Sequence, residues 1–148
     1  MTDRDGFIKV AAVTPDIRVA DCEYNAEQIC KKMKEAAALG SKIIVFPELC
    51  LTGYTCSDLF WQELLLSEAK KGLHQILFLS KGKDALVFVG LPWEKDGKLY
   101  NVAAVISDGE LLGLVPKRFL PAYSEFYEER NFTPGEEEVT WVTVNGKR

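Results

Sequence analysis

The stretch SKIIVFPE, Ser41 to Glu48, decides how the chain reads. Ile43 to Phe46 form an unbroken apolar run with no polar alternation, which suits a strand covered on both faces of a sheet. Pro47 ends the ladder and holds Phe46 extended, so Glu48 is aimed off the end of the strand. Working backward, Gly40 stops a helix from Asp21 to Leu39, in which Ala26, Ile29, Cys30, Met33, Ala36 and Ala37 recur at three- and four-residue steps. Before it, Phe7 to Val13 reads as a first strand, ended by the turn-prone Thr14, Pro15 and Asp16. Working forward, Asp58 to about Leu79 reads as a second helix capped by Ser57, with Leu59, Leu64, Leu65, Ala69, Leu73, Ile76 and Leu77 as its apolar face.

The second half changes character. Ala85 to Trp93, Leu99 to Ser107 and Leu111 to Val115 are three strand-like runs, separated by Lys95-Asp96-Gly97 and Asp108-Gly109. Both separators favour tight turns, so an antiparallel meander is expected. Arg118 to Glu138 reads as a long functional loop with one short helical turn, and Val139 to Val144 as a last strand. Strands alternating with helices and followed by hairpins predict an α/β fold with a mixed sheet and helices on at least one face. In such folds ligands bind beyond the carboxyl ends of the strands.

The 148 residues are 47% hydrophobic and 27% charged, the composition of an ordinary globular domain. Eighteen Lys and Arg against 22 Asp and Glu leave a net charge of −4 and no basic face, which argues against nucleic acid or an anionic membrane as partner. No apolar run approaches the ~18 residues of a spanning helix, and the first ten residues lack a signal-peptide core. A cytoplasmic protein is therefore expected. Cys22, Cys30, Cys50 and Cys56 offer no C-x-x-C pair and read as reduced thiols, and His74 is the one histidine. Neither a metal site nor a phosphate-binding glycine loop is expected.

Two strand ends share one construction. IIVFPE runs into Glu48 and LGLVPK runs into Lys117, each placing a charge directly after a proline. A carboxylate and an ammonium so placed face one cleft in the functional reading, as general base and oxyanion-stabilising cation. Spacing alone leaves open that they are ordinary flanking charges or a structural ion pair.

The surrounding strings narrow this. FPELCLTGY, Phe46 to Tyr54, together with VPKRFLPAYSEFYEERNFTPG, Val115 to Gly135, resembles the nitrilase (carbon–nitrogen hydrolase) superfamily. GYTCSDLF and LPAYSEFYEERNFTPG resemble more closely the branch formed by the amino-terminal glutaminase domains of glutamine-dependent NAD synthetases. The resemblance implies a nitrilase-like α-β-β-α sandwich and a Glu, Lys and Cys mechanism that hydrolyses the side-chain amide of glutamine. It gives Glu48 the role of base, Lys117 that of stabilising the tetrahedral intermediate, and Glu128 that of orienting the lysine. Tyr54, Tyr123 and Phe126 would line the glutamine pocket. ATP and magnesium are implied only for a synthetase domain outside this chain, with no cofactor for this part, and packing into homo-oligomers is implied as well.

The pattern breaks at the nucleophile. In the family that cysteine follows the lysine, and no cysteine follows Lys117 here. Cys50 and Cys56 precede it and read as buried thiols. At the carboxyl terminus, Val142 to Val144 reads as strand, Asn145-Gly146 as a hairpin turn, and two residues remain of a returning strand. The expectation is that residues 1–148 are the amino-terminal half of one carbon–nitrogen hydrolase domain, with no second domain. Other readings keep the fold and change the substrate, to an ω-amidase, carbamoylase or nitrilase-type hydrolase, or make the chain a non-catalytic structural module.

Overall fold

The helix expected from the Ala26 to Ala37 periodicity forms as α1, Cys22–Ala38, with the Asp21 carboxylate accepting a hydrogen bond from the Tyr24 N–H at its start. The computed structural model describes residues 6–142 and Val144. Around α1 it places β1 (Val10–Ala12), β2 (Ile43–Val45), a 3₁₀ turn (Ser57–Trp61), α2 (Glu63–Ser80), β3 (Leu86–Lys95), β4 (Lys98–Ser107), β5 (Glu110–Pro116) and a second 3₁₀ turn (Glu128–Arg130). One sheet runs β1-β2-β3-β4-β5, with β1, β2 and β3 parallel and the β3-β4-β5 meander antiparallel.

The meander follows from its turns. Asp96-Gly97 and Asp108-Gly109 all have positive φ, the conformation of a two-residue turn that matches strand twist. One irregularity interrupts β4 and β5: Ile106 pairs with Leu111 and Val105 with Gly113, leaving Leu112 as a bulged residue.

The core lies between the helices and one face of the sheet. Ile44, Val87, Val89, Leu91, Val102, Ala104 and Ile106 are buried against Ile29, Met33, Leu73 and Ile76. Gly72 lets the helices meet, since a Cβ there would stand 3.0 Å from Leu51 Cδ1 and 3.2 Å from Ala26 Cβ. The helix layer and the sheet make up one α–β half of the expected sandwich.

Four expectations are corrected. β1 is shorter than Phe7 to Val13, because it is an edge strand and Phe7 and Ile8 are exposed. β2 is covered on one face only: successive side chains alternate, so Ile44 is fully buried while Val45 is 45% exposed. The second helix does not run from Asp58, because Gln62 adopts an extended conformation between the 3₁₀ turn and α2. Leu59, on the 3₁₀ turn, and Leu64, on the side of α2 opposite Leu73, are exposed while Leu65 is buried, and Ser57 makes no cap hydrogen bond. Finally, no strand forms over 139–142, where Val139 and Trp141 are exposed, and Val144 makes only an isolated bridge. The Asn145-Gly146 turn lies outside the described residues. Among the described residues no helix is long and apolar enough to cross a membrane.

Candidate active site

Glu48 stands directly beyond β2 in a turn pressed onto the neighbouring strand. Cys50 N–H donates to Pro47 O at 3.3 Å, Gly53 N–H to Leu49 O at 2.8 Å and Leu51 N–H to Gly90 O at 3.2 Å. The contact is so close that a Cβ at Gly90 would lie 2.4 Å from Leu49 N and 2.6 Å from Pro47 O. Leu49 itself has φ 51°, a left-handed conformation rare for a non-glycine residue and a local store of strain.

Lys117 stands directly beyond β5 and is fixed by its backbone. Its N–H donates to Asn101 O at 2.8 Å and its carbonyl accepts from Gly135 N–H at 2.9 Å. Gly135 must be glycine-like here, because a Cβ would lie 2.8 Å from Pro116 Cγ. Glu128 opens the second 3₁₀ turn, inside the long loop expected between Arg118 and Glu138.

These segments converge on one ammonium. Lys117 Nζ lies 2.8 Å from Glu48 Oε1 and 2.9 Å from Glu128 Oε1. Tyr54 OH donates to Glu128 Oε1 at 2.7 Å, and Asn101 Nδ2 donates to Glu48 Oε1. The Glu128 side chain is 5% exposed against 41% for Glu48 and 30% for Lys117, so the cluster runs from a buried carboxylate to an open one. Glu128 Oε2 is buried with no hydrogen-bond partner. Burial works against the charge on Lys117, but the hydrogen bonds and charges of the two carboxylates outweigh it and raise its pKa. Burial, with the hydrogen bond and charge of Glu128, also pushes the Tyr54 phenol well up. The lysine is therefore a firmly charged donor, and Tyr54 a firmly neutral one.

The aromatics form a wall beside this cluster. Phe126 meets Tyr54 edge-on at 6.5 Å between ring centres and Tyr123 at 5.7 Å, with Tyr123 exposed. All six residues singled out in the sequence thus come together. Asn101 was missed. Its signal is a lone polar side chain within the apolar run LYNVAAVIS, buried in the structure.

None of the four thiols fits a nucleophile. Cys50 is buried with its S–H directed at Gly90 O at 3.7 Å, and burial pushes its pKa up to about 12. Cys56 is buried with its S–H 3.2 Å from Thr52 O, and burial raises its pKa too. Cys22 and Cys30, raised by burial to about 12 and about 11, sit in the helix core. Among the described residues no group of three or more His, Cys, Asp or Glu side chains is placed to hold a metal ion.

The family profile of carbon-nitrogen hydrolases matches residues 9–147. The chain is 35% identical over 143 residues to the glutamine-dependent NAD(+) synthetase of Mycobacterium leprae (strain TN), covering 97% of this chain and 21% of that protein. To the glutamine-dependent NAD(+) synthetase of Aquifex aeolicus (strain VF5) it is 45% identical over 130 residues, or 88% of this chain and 22% of that one. The chain thus spans about a fifth of the length of these relatives. Among solved structures, a glutamine-dependent NAD(+) synthetase from Cytophaga hutchinsonii superposes with TM-score 0.87 at 29% identity, over 93% of this chain and 24% of that one. An amidase from Nesterenkonia sp. AN1 shares the fold, with TM-score 0.72 at 23% identity over 95% of this chain and 54% of that one.

Proposed function

The chain belongs to the carbon-nitrogen hydrolase family, and from that membership we propose that it supplies the base, the oxyanion-stabilising lysine and the pocket wall of a glutaminase serving NAD synthesis. The observation that carries the reading is the Lys117 ammonium held between Glu48 and Glu128 beyond the strand ends. Similarity to glutamine-dependent NAD(+) synthetases over nearly the whole chain supports the substrate.

An unactivated amide resists direct attack by water, so a thiolate first takes over the acyl group. In this reading Glu48 accepts the thiol proton and passes it to the leaving nitrogen, which departs as ammonia. A thioester remains, and Glu48 then deprotonates the water that hydrolyses it to glutamate. Lys117 donates to the carbonyl oxygen as negative charge develops there. Glu128 orients Lys117, and Tyr54, Tyr123 and Phe126 enclose the glutamine side chain.

The cysteine nucleophile is assigned to sequence outside these 148 residues, since all four thiols here are buried. ATP and magnesium are likewise assigned to a synthetase region outside this chain, where the ammonia would be consumed. A reducing cytoplasm suits four unpaired thiols, and assembly into homo-oligomers is part of the same reading.

The test is ammonia release from L-glutamine by the complete gene product. Steady release that Glu48→Gln abolishes is expected; no release, or equal rates with unrelated amides, overturns the assignment. The isolated 148 residues should release none. Release that depends on Glu48 would send attention back to Cys50 and Cys56.

A further inference from the structure

Glu48 and Lys117 lie 69 residues apart in sequence, and one residue outside the motifs touches both. Asn101, on β4, is 4% exposed. Its Nδ2 donates to Glu48 Oε1, and its carbonyl accepts the Lys117 N–H at 2.8 Å. A buried amide between Leu99 and Val102 is costly unless its hydrogen bonds are made, and an apolar side chain would pack there without that cost. The hydrogen bonds to Glu48 among the described residues, from Asn101 and Lys117, both fall on Oε1. Oε2 belongs to the more open side chain of the cluster and carries none of them.

We propose that Asn101 is a positioning residue for the Glu48 base: it anchors Oε1, ties the carboxylate to the Lys117 backbone, and leaves Oε2 as the oxygen that takes the proton. This rests on the glutaminase reading. In the step concerned, the attacking thiol's S–H bond breaks, its electron pair forms the bond to the amide carbonyl carbon, the C=O π pair moves onto the oxygen, and the proton goes to Oε2. Asn101 gains and loses no proton. Being neutral, it holds Oε1 without adding a charge that would compete with Lys117. The other titratable groups around Glu48 are Lys117 at the end of β5, Glu128 on the second 3₁₀ turn and, through Glu128, Tyr54 on the turn after β2.

Two variants of similar volume test this in the complete gene product. Asn101→Leu removes the donor, and Asn101→Asp replaces it with an acceptor. In both, kcat on glutamine should fall about 10- to 100-fold, the worth of one hydrogen bond to a charged group, while KM stays within about threefold. A kcat within about twofold of wild type, even beside a lower Tm, overturns the proposal and makes Asn101 structural. A wild type inactive on glutamine would defeat the glutaminase reading instead. Asn101 would then be judged by the crystal structure of either variant: a Glu48 carboxylate that has turned away from its wild-type place supports the anchoring role, and one that has not moved overturns it.

Discussion

Lys117 carries opposing influences, and their balance has a sign that can be measured. Burial disfavours its charge, the two carboxylates favour it, and the net pKa is raised above the ordinary 10.5. The stabilisation is therefore fully present below the unfolded lysine's value and is lost as pH rises through the folded one. As pH rises above the ordinary lysine value of 10.5, wild type should lose denaturant resistance more steeply than Lys117→Met, and parallel curves would show that the carboxylates do not grip the ammonium. In catalysis, Lys117→Ala should lower kcat by about 10²- to 10³-fold, as for loss of an oxyanion donor; a change of a few-fold in steady-state kinetics would remove the assigned role. The strand-end placement of Glu48 and Lys117 was legible because a proline followed by a charge marks such an end, while the roles expected of them came from family resemblance. Tyr54, Tyr123, Phe126 and Glu128 were legible through family resemblance, since nothing local distinguishes them from packing aromatics and loop charges. Asn101 was passed over: a lone polar residue in an apolar run marks the position, but its meeting with Glu48, 53 residues away, depends on how the Glu48 turn lies across the sheet.

Elements placed these residues through backbone contact. The Glu48 turn rests on Gly90 with no room for a Cβ, so Gly90→Ala must push Pro47 to Leu49 away from β3. It should destabilise the fold by about 1 to 3 kcal/mol, the usual cost of overpacking, and weaken the Glu48 to Lys117 contact. Thermal unfolding and a crystal structure of the variant check both, and an unchanged Tm would mean that the turn can lift freely. Hairpin turns such as Asp96-Gly97 were readable because their chemistry is local. The start of α2 was not, because Gln62 breaks the helix where the chain must leave the 3₁₀ turn, and of the two leucines expected on the apolar face there, Leu65 is buried while Leu64 is exposed. The one-sided burial of β2 also escaped local reading, since an apolar run looks alike whether one face or both are covered.

At the scale of the whole molecule, the sheet has a helix-covered face and a largely open one. Val10, Val45 and Val115 are exposed on the open side, and β1 and β5 are the two edges. Apolar faces and free edges favour association. The isolated 148 residues should therefore sediment as dimers or larger species, and Val45→Glu with Val115→Glu should return them to monomers. A monodisperse wild-type monomer would count against this. Fold class was readable from the order of elements alone, whereas the extent of covering on each side needed the assembled sheet.

The bulge at Leu112 reaches further than its neighbourhood. Had Leu112 paired with Val105, every later residue of β5 would slip by one, and Lys117 would stand opposite Tyr100, whose ring packs toward the helices. The extra residue restores the count, so that Lys117 meets Asn101 instead. Whether the ammonium faces its carboxylates or the opposite side of the sheet is thus a matter of odd or even, decided by a leucine whose own side chain has no polar atom.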